Sequence, residues 1–169
     1  MNLDLLVEME LNRWDWSNII EAHGPATNIP VAIRELMLAQ NVEESEIAYW
    51  KLENHIVVQG NVFEAAAYAV PVFMAALVKT DRPTHFVIST MDLFYQIIAG
   101  GVHEEEIARG MPDLKERCIA AMREGIWILY ANYLQGRVRR SLGEVISMLD
   151  DDPYRLKYLD ENRGKSESK

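Results

Sequence analysis

Apolar residues recur along this chain at intervals of three and four, the spacing that gathers them on one side of a helix. Strict apolar–polar alternation is rare, and no Asn-Gly or Asp-Gly pair separates alternating segments, so strands are not expected. The pattern predicts a first helix within residues 4–11 and a short one over 16–22, ended by His23-Gly24. Asn28 is a candidate N-cap for the next helix, with Pro30 in a first turn where its missing N–H costs nothing. Val31, Leu36 and Leu38 give that helix its apolar side. A helix over 43–52 follows, with Ile47, Trp50 and Leu52 facing inward and Glu43, Glu44 and Glu46 favouring its positive N-terminus. His55-Ile-Val-Val-Gln-Gly60 reads as an apolar connector closed by glycine. Residues 63–78 form a long alanine-rich helix that Pro71 should kink or split. Ala65, Ala69, Val70, Phe73 and Leu77 are its expected buried face.

Thr84 is placed to cap a helix over 85–99, which Gly100-Gly101 stops. Residues 102–112 read as a polar loop with room for a helical turn over 103–108. The longest helix is expected over 113–134, with Leu114, Ile119, Met122, Ile126, Trp127 and Tyr130 on its apolar side. One more helix covers 141–149. Asp150-Asp-Asp-Pro153 breaks it, and a short last helix runs through Leu159. The tail, 161–169, is charged and bears Ser and Gly, a composition expected to be disordered. Residues 1–160 thus read as one all-α domain of antiparallel helical hairpins. Short links of this kind suit either a bundle or a row of stacked pairs, and periodicity alone does not choose.

A length of 169 residues fits one domain with a real core. No apolar run approaches the ~20 residues of a membrane span. The first ten residues lack the basic start and unbroken apolar stretch of a secretion signal. The single cysteine, Cys118, lies among apolar helix residues and reads as a buried structural thiol rather than a nucleophile. A cytoplasmic location is the expectation that follows. The net charge of −9 is uneven: residues 1–80 hold 11 acidic and 4 basic side chains, net −7, and residues 81–169 hold 15 and 13, net −2. That balance argues against nucleic-acid binding, which wants a basic face, and suits a basic protein partner.

Glu43, Glu44, Glu46 and Glu53 are the candidate partner-binding carboxylates, with Glu43, Glu46 and Glu53 near one face at helical spacing. Among the aromatics, taken mostly as core, Trp14 and Trp16 are the candidate exposed anchors. His55, Gln59, Asn61 and Glu64 have two readings: a polar patch open to a partner, or a capping cluster with Asn61 as N-cap, Glu64 three residues on and Gln59 bonded to loop backbone. His103-Glu-Glu-Glu106 reads as a solvated acidic loop rather than a metal site, and Arg137, Arg139 and Arg140 as surface charges, Arg140 pairing with Glu144. No catalytic pattern stands out, and no cofactor or metal is expected.

Between residues 16 and 78 an ordered set of motifs occurs: Trp16-Ser-Asn-Ile-Ile-Glu-Ala-His-Gly24, Thr27-Asn-Ile-Pro30, Ala48-Tyr-Trp-Lys-Leu52, Gln59-Gly-Asn-Val-Phe-Glu-Ala-Ala66 and Ala69-Val-Pro-Val-Phe73. This order resembles the N-terminal unit of bacterial HEAT-repeat-like proteins, with Val58 where that family often has His and Asn61 where it often has Thr. The resemblance implies an α-solenoid, a fold used mainly as a recognition surface. It also implies a role of the kind played by short bacterial immunity proteins, which neutralise a toxin by direct binding; the acidic half would suit a basic, nuclease-type toxin. Two other roles stay open: a helical-repeat adaptor or regulatory scaffold, and a HEAT-like enzyme acting on nucleic acid.

Overall fold

The computed structural model describes residues 5–163. The expectation of a disordered tail falls largely on 164–169, outside the described residues; 161–163 close the last helix. The chain is predominantly helical. Its helices are α1 (Leu5–Asn12), α2 (Ile29–Leu38), α3 (Val42–Ile56), α4 (Ala65–Leu77), α5 (Thr84–Ala99), α6 (Glu104–Ala108), α7 (Leu114–Glu124), α8 (Ile126–Leu134), α9 (Arg139–Leu149) and α10 (Pro153–Arg163). α4 is the hub, packing against α1, α5, α7 and α8. α3, α5 and α9 lie side by side in chain order, α2 packs on α3, and α8 and α10 pack on α9.

The core follows the apolar spacing. Ala65, Ala69, Val70, Phe73 and Leu77 are all buried, as expected. The alanines let neighbouring helices approach α4 closely, and Phe73 meets Phe94 of α5 edge to face at 6.3 Å. Pro71 sits inside α4 without splitting it. Cys118 is fully buried, and burial pushes its thiol up to about 12. The expected 113–134 helix is instead two, broken at Gly125, where a Cβ would meet the Met74 Cε at 2.3 Å. Trp127, expected on the apolar side, is exposed. α2 also turns differently from its prediction: Ile29, Ala32, Ile33, Leu36 and Met37 are buried, while Val31 is exposed.

Polar side chains pin neighbouring helices by bonding their unsatisfied C-terminal carbonyls. Asn132 of α8 donates to Leu77 O (2.8 Å), Arg123 of α7 to Leu149 O (2.8 Å), and His85 of α5 to Ala39 O (2.9 Å). Each contact joins the C-terminal end of one helix to a terminal turn of another.

Among the described residues, five strands of two residues each correct the expectation of none. β1 (Ile20–Glu21) and β2 (Gly24–Pro25) form a tight hairpin in place of a helix over 16–22, of which only a 3-10 turn at Trp16–Asn18 remains. β3 (Val57–Val58) pairs antiparallel with β4 (Asn61–Val62) through the turn Gln59-Gly60. Both turn residues have positive φ, +50° and +78°, the signature of a type I′ hairpin turn. β5 (Gly101–Val102) runs parallel to β4, with Gly101 N donating to Gly60 O (2.8 Å) and His103 N to Val62 O (3.2 Å). The connectors thus knit together at one end of the helices.

Candidate partner-binding surface

α3 begins with a cap that consumes one of the predicted carboxylates. Asn41 Oδ1 accepts from Glu44 N (2.9 Å), while Glu44 accepts from Gln40 N (2.8 Å) and from Asn41 Nδ2 (3.0 Å). This is a capping box displaced along the chain, and Glu44 serves the helix start. Glu43 is exposed beside it. Past that turn, α3 is clamped between α2 and α5, so Ser45, Ala48, Leu52 and Ile56 are its buried positions. Ile47 and Trp50, expected to face inward, lie on the open side, with Trp50 54 % exposed.

That open side borders a groove of about 470 Å³ between α3 and α5, lined by Glu46, Tyr49 and Trp50 from α3 and by His85, Ile88 and Asp92 from α5. At its floor the hydroxyls of Ser45 and Ser89 hydrogen-bond at 3.1 Å. Gln96 Nε2 donates to the Tyr49 hydroxyl (2.6 Å), and the Tyr49 and Trp50 rings meet edge to face at 5.4 Å. Tyr49 takes the charge of both Asp92 and Glu53. Burial, then those two charges, push its phenol up to about 12. Glu53 is raised above the ordinary carboxylate range by desolvation, and Asp92 by desolvation and then by the charge of Glu144 on α9. None of Glu46, Glu53 and Asp92 forms an ion pair with another described residue. Two of these carboxylates, Glu53 and Asp92, are thus partly desolvated, and both act on Tyr49 of the aromatic pair.

The other predicted residues separate. Trp16 is buried, its Nε1 donating to Leu11 O (2.8 Å), so it is not an exposed anchor. Trp14 is partly open, edge to face with Tyr68 at 5.0 Å and beneath the Arg13 guanidinium at 4.8 Å. His55 Nδ1 lies 2.6 Å from the buried carboxylate of Glu21, which also accepts from His23 N (3.2 Å), tying the first hairpin to the end of α3. Asn61 sits in β4 and does not cap α4. Glu64 occupies the cap position without a side-chain cap bond, and its carboxylate instead accepts from Ile20 N (3.0 Å) and faces Arg109 (3.5 Å). Gln59 is exposed at the turn and its side chain makes no hydrogen bond among the described residues. Glu106, expected in a solvated loop, is buried against Arg109. The arginines disperse: Arg137 donates to Thr80 O, Arg139 stacks over Tyr133, and Arg140 pairs with Glu144 (3.6 Å) as expected.

Asp92 is the residue the sequence reading missed. It lies on a helix remote in sequence from α3, and only the packing of α3 on α5 brings it beside Tyr49. Among the described residues no three His, Cys, Asp or Glu side chains are grouped to hold a metal, and no helix is long and apolar enough to cross a membrane. No family model matches the chain, nor does any curated protein or solved structure match it.

Proposed function

We propose that this protein is a helical-repeat recognition module that binds a basic protein through the α3/α5 face and performs no catalysis of its own. The observation that carries the reading is a set of carboxylates, Glu46, Glu53 and Asp92, without an ion-pair partner among the described residues, of which Glu53 and Asp92 are partly desolvated and act on Tyr49 beside Trp50. A lysine or arginine entering the groove would relieve that field and stack on an exposed indole, combining charge complementarity with cation–π attraction. The side-by-side order of α3, α5 and α9 supports a short HEAT-like stack of hairpins. The resemblance over residues 16–78 favours an immunity protein that neutralises a basic, nuclease-type toxin; an adaptor with another basic partner is the second form of the same reading.

The test is direct. The product of the adjacent gene is co-expressed and captured, and its association is followed by stopped flow. In Glu46→Lys/Glu53→Lys/Asp92→Lys the association rate at low salt should fall by at least roughly tenfold, with helical circular dichroism retained, because steering acts on the encounter. A captured basic partner that associates with the triple variant at the wild-type rate would remove the acidic face from the mechanism.

A further inference from the structure

The far end of the chain carries a second surface, independent of the acidic groove. α8 and α10 both pack on α9 and leave between them a groove of about 540 Å³, lined by Trp127, Tyr130, Leu134, Tyr154, Arg155 and Tyr158. Trp127 is 64 % exposed, Leu134 60 %, Tyr154 87 % and Tyr158 50 %. Tyr154 and Tyr158 stand four residues apart, so they form one ridge along α10. We propose that this surface is a two-fold interface with a second copy of this chain, the Tyr154–Tyr158 ridge of each copy entering the α8/α10 groove of the other.

Three features single out that occupant. First, an isologous interface needs a ridge and a matching recess on the same patch, and both are present here. Second, like charges do not confront one another across the axis. Among the described residues that line the patch the charged one, Arg155, is held by Asp150 through two bonds of 2.6 and 2.7 Å while lying 5.2 Å from the Trp127 ring centre. The same neutralisation leaves a charged partner nothing to pair with. Third, the area suffices. At about 150–250 Å² for a fully exposed aromatic side chain, the four exposed residues present roughly 500 Å² per copy. Doubled, that reaches the ~1,000 Å² at which specific association begins. The ion pair also fixes the patch before association, which lowers the ordering cost of binding.

Sedimentation velocity on the full chain, from about 1 to 200 μM, reads the outcome. Wild type should pass from monomer to dimer with a dissociation constant on the order of 10 μM, as an interface this small allows. Trp127→Glu and Tyr154→Glu each place two like charges across the axis and should raise that constant by at least roughly tenfold, with circular dichroism unchanged. Tyr154→Ser, at the most exposed position, guards against a folding defect and should weaken the dimer in the same direction. Glu46→Lys/Asp92→Lys should dimerise as wild type does, so failure of this proposal and failure of the acidic-face reading are separable. A wild type that stays monomeric throughout, leaving the patch to a different protein, overturns the proposal. So does a dimer that persists in both Tyr154 variants, or assembly that continues past the dimer.

Discussion

Asp150 holds together the last third of the molecule. Its buried carboxylate accepts from Tyr130 Oη (2.7 Å), from Arg155 Nε and Nη2, and from Asp152 N (3.0 Å). The Arg155 bonds, with the Tyr130 and Asp152 bonds, hold it well below the ordinary carboxylate range against the opposing cost of burial. A carboxylate with a depressed folded-state pKa contributes stability above its unfolded pKa and loses it as pH falls through the folded one. Asp150→Ala should therefore cost about 2–3 kcal/mol at neutral pH, since it strands a buried phenol and a guanidinium. Urea unfolding at pH 7 checks this, and the difference from wild type should shrink at strongly acid pH. Phe73 makes a purely apolar counterpart: Phe73→Ala should cost about 3–5 kcal/mol, from lost burial and the cavity between α4 and α5. An urea midpoint unchanged by Phe73→Ala would contradict the packing described.

At the scale of elements, the connectors matter as much as the helices. Gly100 closes α5 and lets the chain cross the β3–β4 hairpin, where a Cβ would stand 2.7 Å from Gly60 O and 2.8 Å from Gln96 O. Both obstacles are backbone, so neither yields by a rotamer change. Gly100→Ala should destabilise by about 1–3 kcal/mol, while Gly101→Ala, with open space at its Cβ, should have far less effect. Comparing the two thermal midpoints separates steric crowding from the general loss of glycine. This crowding is also why β5 can pair with β4 at all: the glycine lets the two backbones approach.

Across the whole molecule, negative charge collects on the α3/α5 face. A carboxyl whose folded-state pKa is raised costs stability when ionised; that cost is absent in acid and appears as pH rises through and above the carboxylate range. Glu53→Gln/Asp92→Asn should accordingly stabilise the free protein at pH 7, by about 0.5 kcal/mol after solvent screening, and leave it unchanged near roughly pH 3. Melting curves at the two pH values measure it, and a double variant no more stable than wild type at pH 7 would mean that water screens the face fully. In the proposed complex the same substitutions should weaken binding. Residues that cost the free protein stability while strengthening a complex are expected of a recognition surface.

The helical class, the approximate extent of most helices and the buried face of α4 were all legible in the sequence, because helical periodicity and glycine or proline stops are local signals. Ala65, Ala69, Val70, Phe73 and Leu77 show it: one stripe, read from spacing alone, is the centre of the core. The acidic bias of the first half was equally plain, since composition needs no fold. Burial on α3 was not, because its two flanks are covered by α2 and α5 while the side bearing Ile47 and Trp50 is left open. The hairpins escaped because two-residue strands carry too few positions to alternate, and because Gln59 takes the left-handed conformation usually given to Asn or Gly. Asp92 beside Tyr49, and Trp127 beside Tyr154 and Tyr158, are juxtapositions between separate helices. Which helices touch is set by packing over distances that no local pattern encodes, so both surfaces belong to the tertiary structure.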